Sequence, residues 1–194
     1  MITYWTVPNS LPRQPGRKKL WITADQHYGH KKILAYQGRP YPDIVAMNSD
    51  LAARHNSKVS KHDHVIHIGD FSFGGPEFFR STALALNGVH YFMDGSHDRA
   101  MRAFFTKPDI YGGTENRLFL LPKLFEFTYS GRQVVLCHYR LESWWASHHG
   151  KSVHFHGHHH AKRPPKPRCR DIGVDCPDVN FGPILIDDAI NSVL

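Results

Sequence analysis

No apolar run in the 194 residues approaches the length of a membrane span. The opening stretch, MITYWTVPNSLPRQPGRKK, lacks the order of charge, apolar segment and small-residue cleavage site that marks a secretory leader. A cytoplasmic protein without membrane contact is expected. Cysteine is scarce: Cys137, Cys169 and Cys176 are odd in number and fit no CxxC zinc spacing. Free thiols are expected, with a Cys169–Cys176 bridge as the alternative. There is no internal repeat and no low-complexity linker, and 194 residues can enclose one full core. A single domain over 1–194 is expected, with 1–18 as an irregular basic lead-in. No helix-turn-helix or zinc-finger pattern appears, which argues against a dedicated DNA-binding protein.

Histidine, by contrast, is abundant, with sixteen in the chain. They are internal and gather after apolar runs. The formal net charge is +7 with histidine neutral. That suits an anionic partner such as a nucleotide, a phosphorylated small molecule or nucleic acid, and equally suits plain solubility. The basic residues are dispersed except in RQPGRKK (13–19) and AKRPPKPRCR (161–170).

The apolar pattern reads as strand at 19–25, helix at 43–59 with Asp43 as N-cap, and strand at 64–70. A helix follows over 76–88, opened by Pro76 and closed by Gly88, and then a strand at 89–95. This alternation predicts an α/β protein. The second half is strand-like at 117–130, 132–138, 151–157, 170–175 and 183–188, with a hairpin turn at Ser130-Gly131. Two mixed β-sheets packed face to face with helices outside are expected.

Five strand ends carry metal-binding residue types. Asp25 and His27 are two apart after LWITA, so in an extended chain they point the same way. Gly69-Asp70 follows HVIHI, and Gly95-Ser96-His97-Asp98 follows VHYFMD. His138 ends QVVLC, and HFHGHHH places His158 and His160 two apart after a glycine. Individually, several of these have bland readings: a turn residue, a helix cap or a satisfied core histidine. Three consecutive histidines do not, because packing them costs desolvation unless something binds them. Imidazole and carboxylate without thiolate suit Mn²⁺, Fe or Zn²⁺.

Taken in order, the five read DxH, GD, GSHD, H and GHxH. This set resembles the calcineurin-like metallophosphoesterase superfamily, whose signature is DxH…GD…GNH[DE]…H…GHxH, and the resemblance spans roughly residues 20–175. ADQHYGHKKI, GRPY, GDFSFG, LCHY and SWWASHHGKSVHFHGHHH are similar to a branch of small bacterial and phage phosphoesterases. The resemblance implies a four-layer αββα sandwich. It also implies two divalent ions, Mn²⁺ foremost with Fe, Zn²⁺ or Ni²⁺ as alternatives. By resemblance, Asp25, His27 and His160 hold the first ion, Asp70 bridges, and His138 and His158 hold the second. Ser96 stands where the motif supplies an asparagine ligand to that ion. His97 faces the leaving group or the phosphate, and Asp98 supports the turn.

The implied activity is hydrolysis of a phosphate monoester or diester, on nucleotides or nucleic-acid ends among others, by a metal-bridging hydroxide. The alternative is a metal-binding protein with weakened catalysis, owing to Ser96, that serves as a phosphate- or nucleic-acid-binding module. His30, Arg39 and Arg140 are candidate substrate contacts, each with a surface salt bridge as its bland reading. Lys162, Arg163, Lys166 and Arg168 can line a rim for anionic substrates or form a solvated loop. Trp144 and Trp145 read as core packing, with stacking on a base or sugar as the alternative. The CHYR sequence departs from the branch, which more often has proline after HY, so a substrate preference does not carry over.

Overall fold

The computed structural model describes residues 11–12, 15–107 and 116–194, so the expected 1–18 lead-in lies largely outside the described residues. The protein is α/β and contains two mixed sheets. The first has the order β4-β3-β2-β1-β9. It comprises β1 (Leu20–Thr23), β2 (His64–Ile68), β3 (Val89–Met93) and β4 (Leu118–Leu120), all parallel, and the antiparallel β9 (Ile184–Leu185). The second runs β5-β6-β7-β8. Its antiparallel hairpin of β5 (Leu124–Tyr129) and β6 (Arg132–Cys137) is extended by the parallel β7 (Ser152–His156) and β8 (Cys169–Asp171).

β1 and β2 are buried at every position, as strands covered on both faces must be. One face of the first sheet sends Ile22, Ile66, Ile68, Tyr91 and Met93 into a shared core with Phe125, Phe127, Val134, Leu136 and Phe155 of the second. Four helices provide the cover on the opposite side: α1 (Ile33–Gln37), α2 (Ile44–Lys58), α3 (Pro76–Ala85) and α4 (Arg99–Thr106). There Met47, Leu51, Phe79, Met101 and Phe104 pack with Phe71 and Phe92. On the outer face of the second sheet, the fourth layer is the chain after β6, with a 3-10 turn at Ser147–His149. Trp144 of that stretch donates from Nε1 to the Ser152 hydroxyl at 3.0 Å and packs against the His154 ring.

Asp43 caps α2 as expected, accepting from Ala46 N at 2.8 Å. The Ser130-Gly131 turn also forms, with both residues at positive φ, as a tight hairpin needs. Three expected elements differ. The 117–130 strand is two strands in different sheets, because Pro122 cannot donate to a ladder and the chain crosses over there. The 183–188 strand ends after two residues and becomes helix α5 (Ile186–Asn191). Asp187 and Asp188 fall in its first turn, where they complement the helix dipole. The 170–175 strand is paired only to Asp171, followed by a lone bridge between Ala24 and Gly173. All three cysteines are free. Among the described residues no helix is long and apolar enough to cross a membrane.

Candidate metal centre

Parallel neighbours end on the same side, so the loops after β1, β2 and β3 leave one edge of the first sheet together. Those after β6 and β7 do the same in the second sheet. Backbone bonds tie the loops to one another. Asp25 N donates to Gly69 O at 3.1 Å, His27 N to Asp70 O at 3.0 Å, and Gly157 N to His138 O at 3.1 Å. The result is two clusters able to hold metal: Asp25, His27 and His160, and Asp70, His138 and His158. Within each, one ligand atom per residue lies within 4.8 Å of the others. Asp70 Oδ2 is 3.4 Å from His138 Nε2 and 3.7 Å from His27 Nε2, so it stands between the clusters.

Four of the six residues are held by further partners. His138 Nδ1 donates to Ile68 O at 2.9 Å, which turns Nε2 toward Asp70. His160 Nδ1 donates to Asp175 Oδ2 at 2.6 Å, and Arg39 grips that carboxylate with two bonds at 2.8 and 2.7 Å. Asp25 accepts from His158 N at 3.1 and 2.9 Å through its two oxygens. Asp70 accepts from His97 N at 2.8 Å and from the Ser96 hydroxyl at 2.9 Å. Behind them, buried Asp98 accepts from Asp70 N, Phe71 N and Gly95 N at 2.6, 2.9 and 2.8 Å. It thereby fixes the turn, as its position suggested. Gly95 is required: a Cβ there would lie 2.3 Å from Asp70 Oδ1 and 2.5 Å from Asp70 N.

The donors fit a cation. Both nitrogens of His27 and Nε2 of His138 are buried without a hydrogen-bond partner, a costly arrangement unless they are ligands. Burial pushes the Asp25 carboxyl up to about 7, against the pull of His160 and His138. Burial holds His27 down to about 3 despite Asp70. It also opposes charge on His138, but Asp70 and Asp25 outweigh it and raise that imidazole to about 9. Burial opposes ionisation of Asp70 too, yet His138 and His27 hold it below the usual carboxylate range. A proton shared between imidazole and carboxylate is one that a cation displaces.

Other sequence-predicted residues fall into three places. His97 is exposed beside the clusters, its ring 5.8 Å from His27 and 5.0 Å from Phe73. His30 stacks on Phe73 at 3.8 Å, with its buried Nδ1 unpartnered. Arg39 is not a substrate contact. Its side chain has no exposure, and beyond Asp175 it donates to Asp25 O and Gln26 O at 2.7 and 2.8 Å. Arg140 points to the 161–170 segment and donates to Pro164 O at 2.8 Å. Trp144 packs as expected, whereas Trp145 is 59% exposed. Ser96 is exposed and directs its hydroxyl to Asp70. Asp175 and Phe73 are participants that the sequence reading passed over. Asp175 closes a strand-like run, the same signal that singled out Asp25 and Asp70.

No family model matches the chain. It is 25% identical over 177 residues to the uncharacterized protein MJ1445 of Methanocaldococcus jannaschii, covering 88% of each chain. Its fold is similar to that of a protein of unknown function, AQ665, from Aquifex aeolicus. The TM-score is 0.70 at 14% identity, over 92% of this chain and 100% of that one. A conserved uncharacterized protein of Streptococcus pneumoniae TIGR4, described as a predicted phosphoesterase, aligns at a TM-score of 0.37 and 13% identity, over 82% and 72% of the two chains.

Proposed function

We propose that the chain is a dinuclear-metal-dependent phosphoesterase. The observation that carries this reading is the placement of Asp70 between two three-residue clusters whose buried nitrogens lack partners. Asp25, His27 and His160 would hold one divalent ion, His138 and His158 the other, with Asp70 shared. Mn²⁺ leads on the mixed imidazole and carboxylate set. When bound, such a pair supplies Lewis acidity toward a phosphoryl group and lowers the pKa of a water.

The protein's own residues orient and finish the reaction. Arg39, Asp175 and His160 form a chain that keeps His160 Nε2 aimed inward. Asp98 locks the turn that carries His97 against Asp70. His97 stands at the exposed mouth, where its imidazole can hand a proton to the departing oxygen. Ser96 has no imidazole relay to make it a nucleophile, because its hydroxyl is engaged with Asp70.

That bond also favours a second reading, a phosphate-binding module with weak turnover. A serine hydroxyl committed to Asp70 supplies no carbonyl ligand to the His138 cluster. The two readings separate on chelator-treated protein reloaded with Mn²⁺. Two bound metals with hydrolysis of a nitrophenyl monoester or a bis-nitrophenyl diester support the enzyme. Two metals without turnover of either support the module, and failure to bind metal refutes both.

A further inference from the structure

Two chain segments leave the metal centre side by side. One is His138-Tyr139-Arg140, and the other runs from His158 through His159 to Arg163. Their rings form a continuous ledge. Tyr139 lies 5.0 Å from His138 and 4.8 Å from His158, and His158 lies 5.1 Å from His159. Tyr139 is 45% exposed although it sits directly beside two metal-cluster histidines. At the far end of the ledge is a cavity of about 300 Å³ lined by Arg140, His159, Arg163, Pro164 and Glu142. A second cavity of about 230 Å³ shares Arg140, Arg163 and Pro164, and it is also lined by Lys166, Asp171 and the Arg170–Asp178 ion pair.

The charges in this cleft are unbalanced. Among the described residues Arg140 bonds only a carbonyl, that of Pro164. Arg163 has no hydrogen bond or ion pair among the described residues. The Glu142 carboxylate is fully exposed and lies 3.6 Å from Lys166 Nζ. Of the other basic residues of the segment, Lys162, Lys166 and Arg170 have partners, Arg170 pairing with Asp178, and Arg168 lines neither cavity. Lys166 is also bonded to the carbonyls of Leu141 and Glu142 and lies over the Trp144 ring at 5.4 Å. Lys162 reaches Tyr36 O at 3.5 Å. Of the rim cations expected from sequence, Arg163 is the one this cleft uses, together with Arg140.

We infer that the Tyr139 ledge and the Arg140–Arg163 cleft form a subsite for a single-stranded nucleic acid, stacking a base on Tyr139 and binding the next phosphate between the two arginines. This rests on the phosphoesterase reading for its chemistry and names the substrate class. Paired guanidinium groups suit phosphate oxygens, and an exposed ring suits an unstacked base of any identity. A duplex offers no free base face. A small bisphosphate needs no ring between its two charges. The net charge of +7 favours approach of a polyanion.

Fluorescence anisotropy with a short fluorescein-labelled oligothymidylate, on intact chelator-treated protein, tests binding without turnover. Arg140→Ala with Arg163→Ala should weaken binding at least tenfold. It should also flatten the plot of log affinity against log salt by about 0.7, the value for one lost phosphate contact on a single strand. Tyr139→Ala should weaken binding at least about fivefold. Arg163→Glu reports on the charge without breaking any bond described above, and should weaken binding at least as much as Arg163→Ala. Wild-type protein that fails to bind at low salt overturns the proposal. So do arginine variants with wild-type affinity and slope, and an unchanged Tyr139→Ala. With Mn²⁺, the ratio of kcat/KM for a trinucleotide to that for bis-nitrophenyl phosphate should fall at least tenfold in the double arginine variant. If binding depends on these residues but neither diester is hydrolysed, the subsite stands and the hydrolase reading fails.

Discussion

Asp175 is not itself among the residues proposed to hold a metal, yet Asp175→Asn should weaken one of the two sites. Its carboxylate accepts from His160 Nδ1 on one side and from the Arg39 fork on the other. Burial works against its charge, but His160 and Arg39 hold its pKa below the usual value. An asparagine has one acceptor and one donor to offer. If its amide oxygen faces Arg39, its NH₂ faces His160 Nδ1 and forces the proton onto Nε2, the atom meant for the ion. If it faces His160, an NH₂ opposes a buried guanidinium. The first arrangement costs about 10–100-fold in affinity at the Asp25 cluster, or about 1.4–2.7 kcal/mol. The second leaves Arg39 without its anion, and breaking a buried pair on one side costs about 3–5 kcal/mol. Two assays separate the effects. Mn²⁺ titration calorimetry on chelator-treated protein should show one weakened site and one unchanged site. Urea unfolding should show the stability loss. Arg39→Lys, which keeps the charge and loses the fork, should destabilise the fold while leaving the His160 tautomer intact, and so affect metal less. A folded Asp175→Asn protein with both affinities within twofold of wild type refutes the orienting role.

Ser96→Asn should raise affinity at the His138 cluster by about tenfold or more, together with diester hydrolysis, because the amide oxygen reaches one bond further than the serine hydroxyl; unchanged occupancy and unchanged turnover, by titration and nitrophenolate release, would remove this position from the centre. His55 is buried and donates from Nε2 to Asn87 O at 2.9 Å, and burial holds its pKa down to about 4. Below about pH 6.5 the unfolded chain therefore takes up this proton before the folded one does. Stability present above that pH is lost as pH falls toward 4, by about 3 kcal/mol. His55→Gln should shrink the difference between urea stabilities at pH 7 and pH 4 by about that amount. Gly131→Ala should cost about 1–2 kcal/mol of unfolding free energy in a urea titration. Gly131 has φ +77 and open space around a new Cβ, so only the backbone resists.

The first three strands were legible because their apolar runs are short, bounded and separated by amphipathic segments. The 117–130 stretch misled for the same reason. LFLLPKLFEFTY is largely apolar, and Pro122 marks the point where the chain changes sheets. Helix α4 escaped notice because it starts directly after the GSHD turn, with Asp98 committed to holding that turn rather than capping the helix by side chain. The clusters themselves were legible from residue type at strand ends. Asp175 and Arg39 were harder, since the bond between them spans 136 positions. Arg39 looked like a phosphate contact on chemistry that is correct for arginine and here serves a carboxylate.

Backbone strain was illegible altogether, and it follows the proposed centre closely. Asp25, His27, Asp70, His158 and His160 all adopt positive φ, between +48° and +69°. Asp and His tolerate the left-handed region better than most residues, but each still pays there, at about 1 kcal/mol or more. Five such residues together cost about 5 kcal/mol, comparable with the net stability of a small domain. A fold keeps such conformations only where its surroundings overdetermine them. Here the surroundings are identifiable. The turned backbone at Asp25 and His27 donates to the carbonyls of Gly69 and Asp70, and that at His158 donates to the Asp25 carboxylate. The bonds that enforce the strain therefore run between the very loops that carry the side chains proposed to hold metal. A sequence selected for stability alone would relieve five adjacent left-handed residues with glycine or asparagine. Asp and His at all five, aimed inward with buried nitrogens left unpartnered, make sense when what they bind returns the energy.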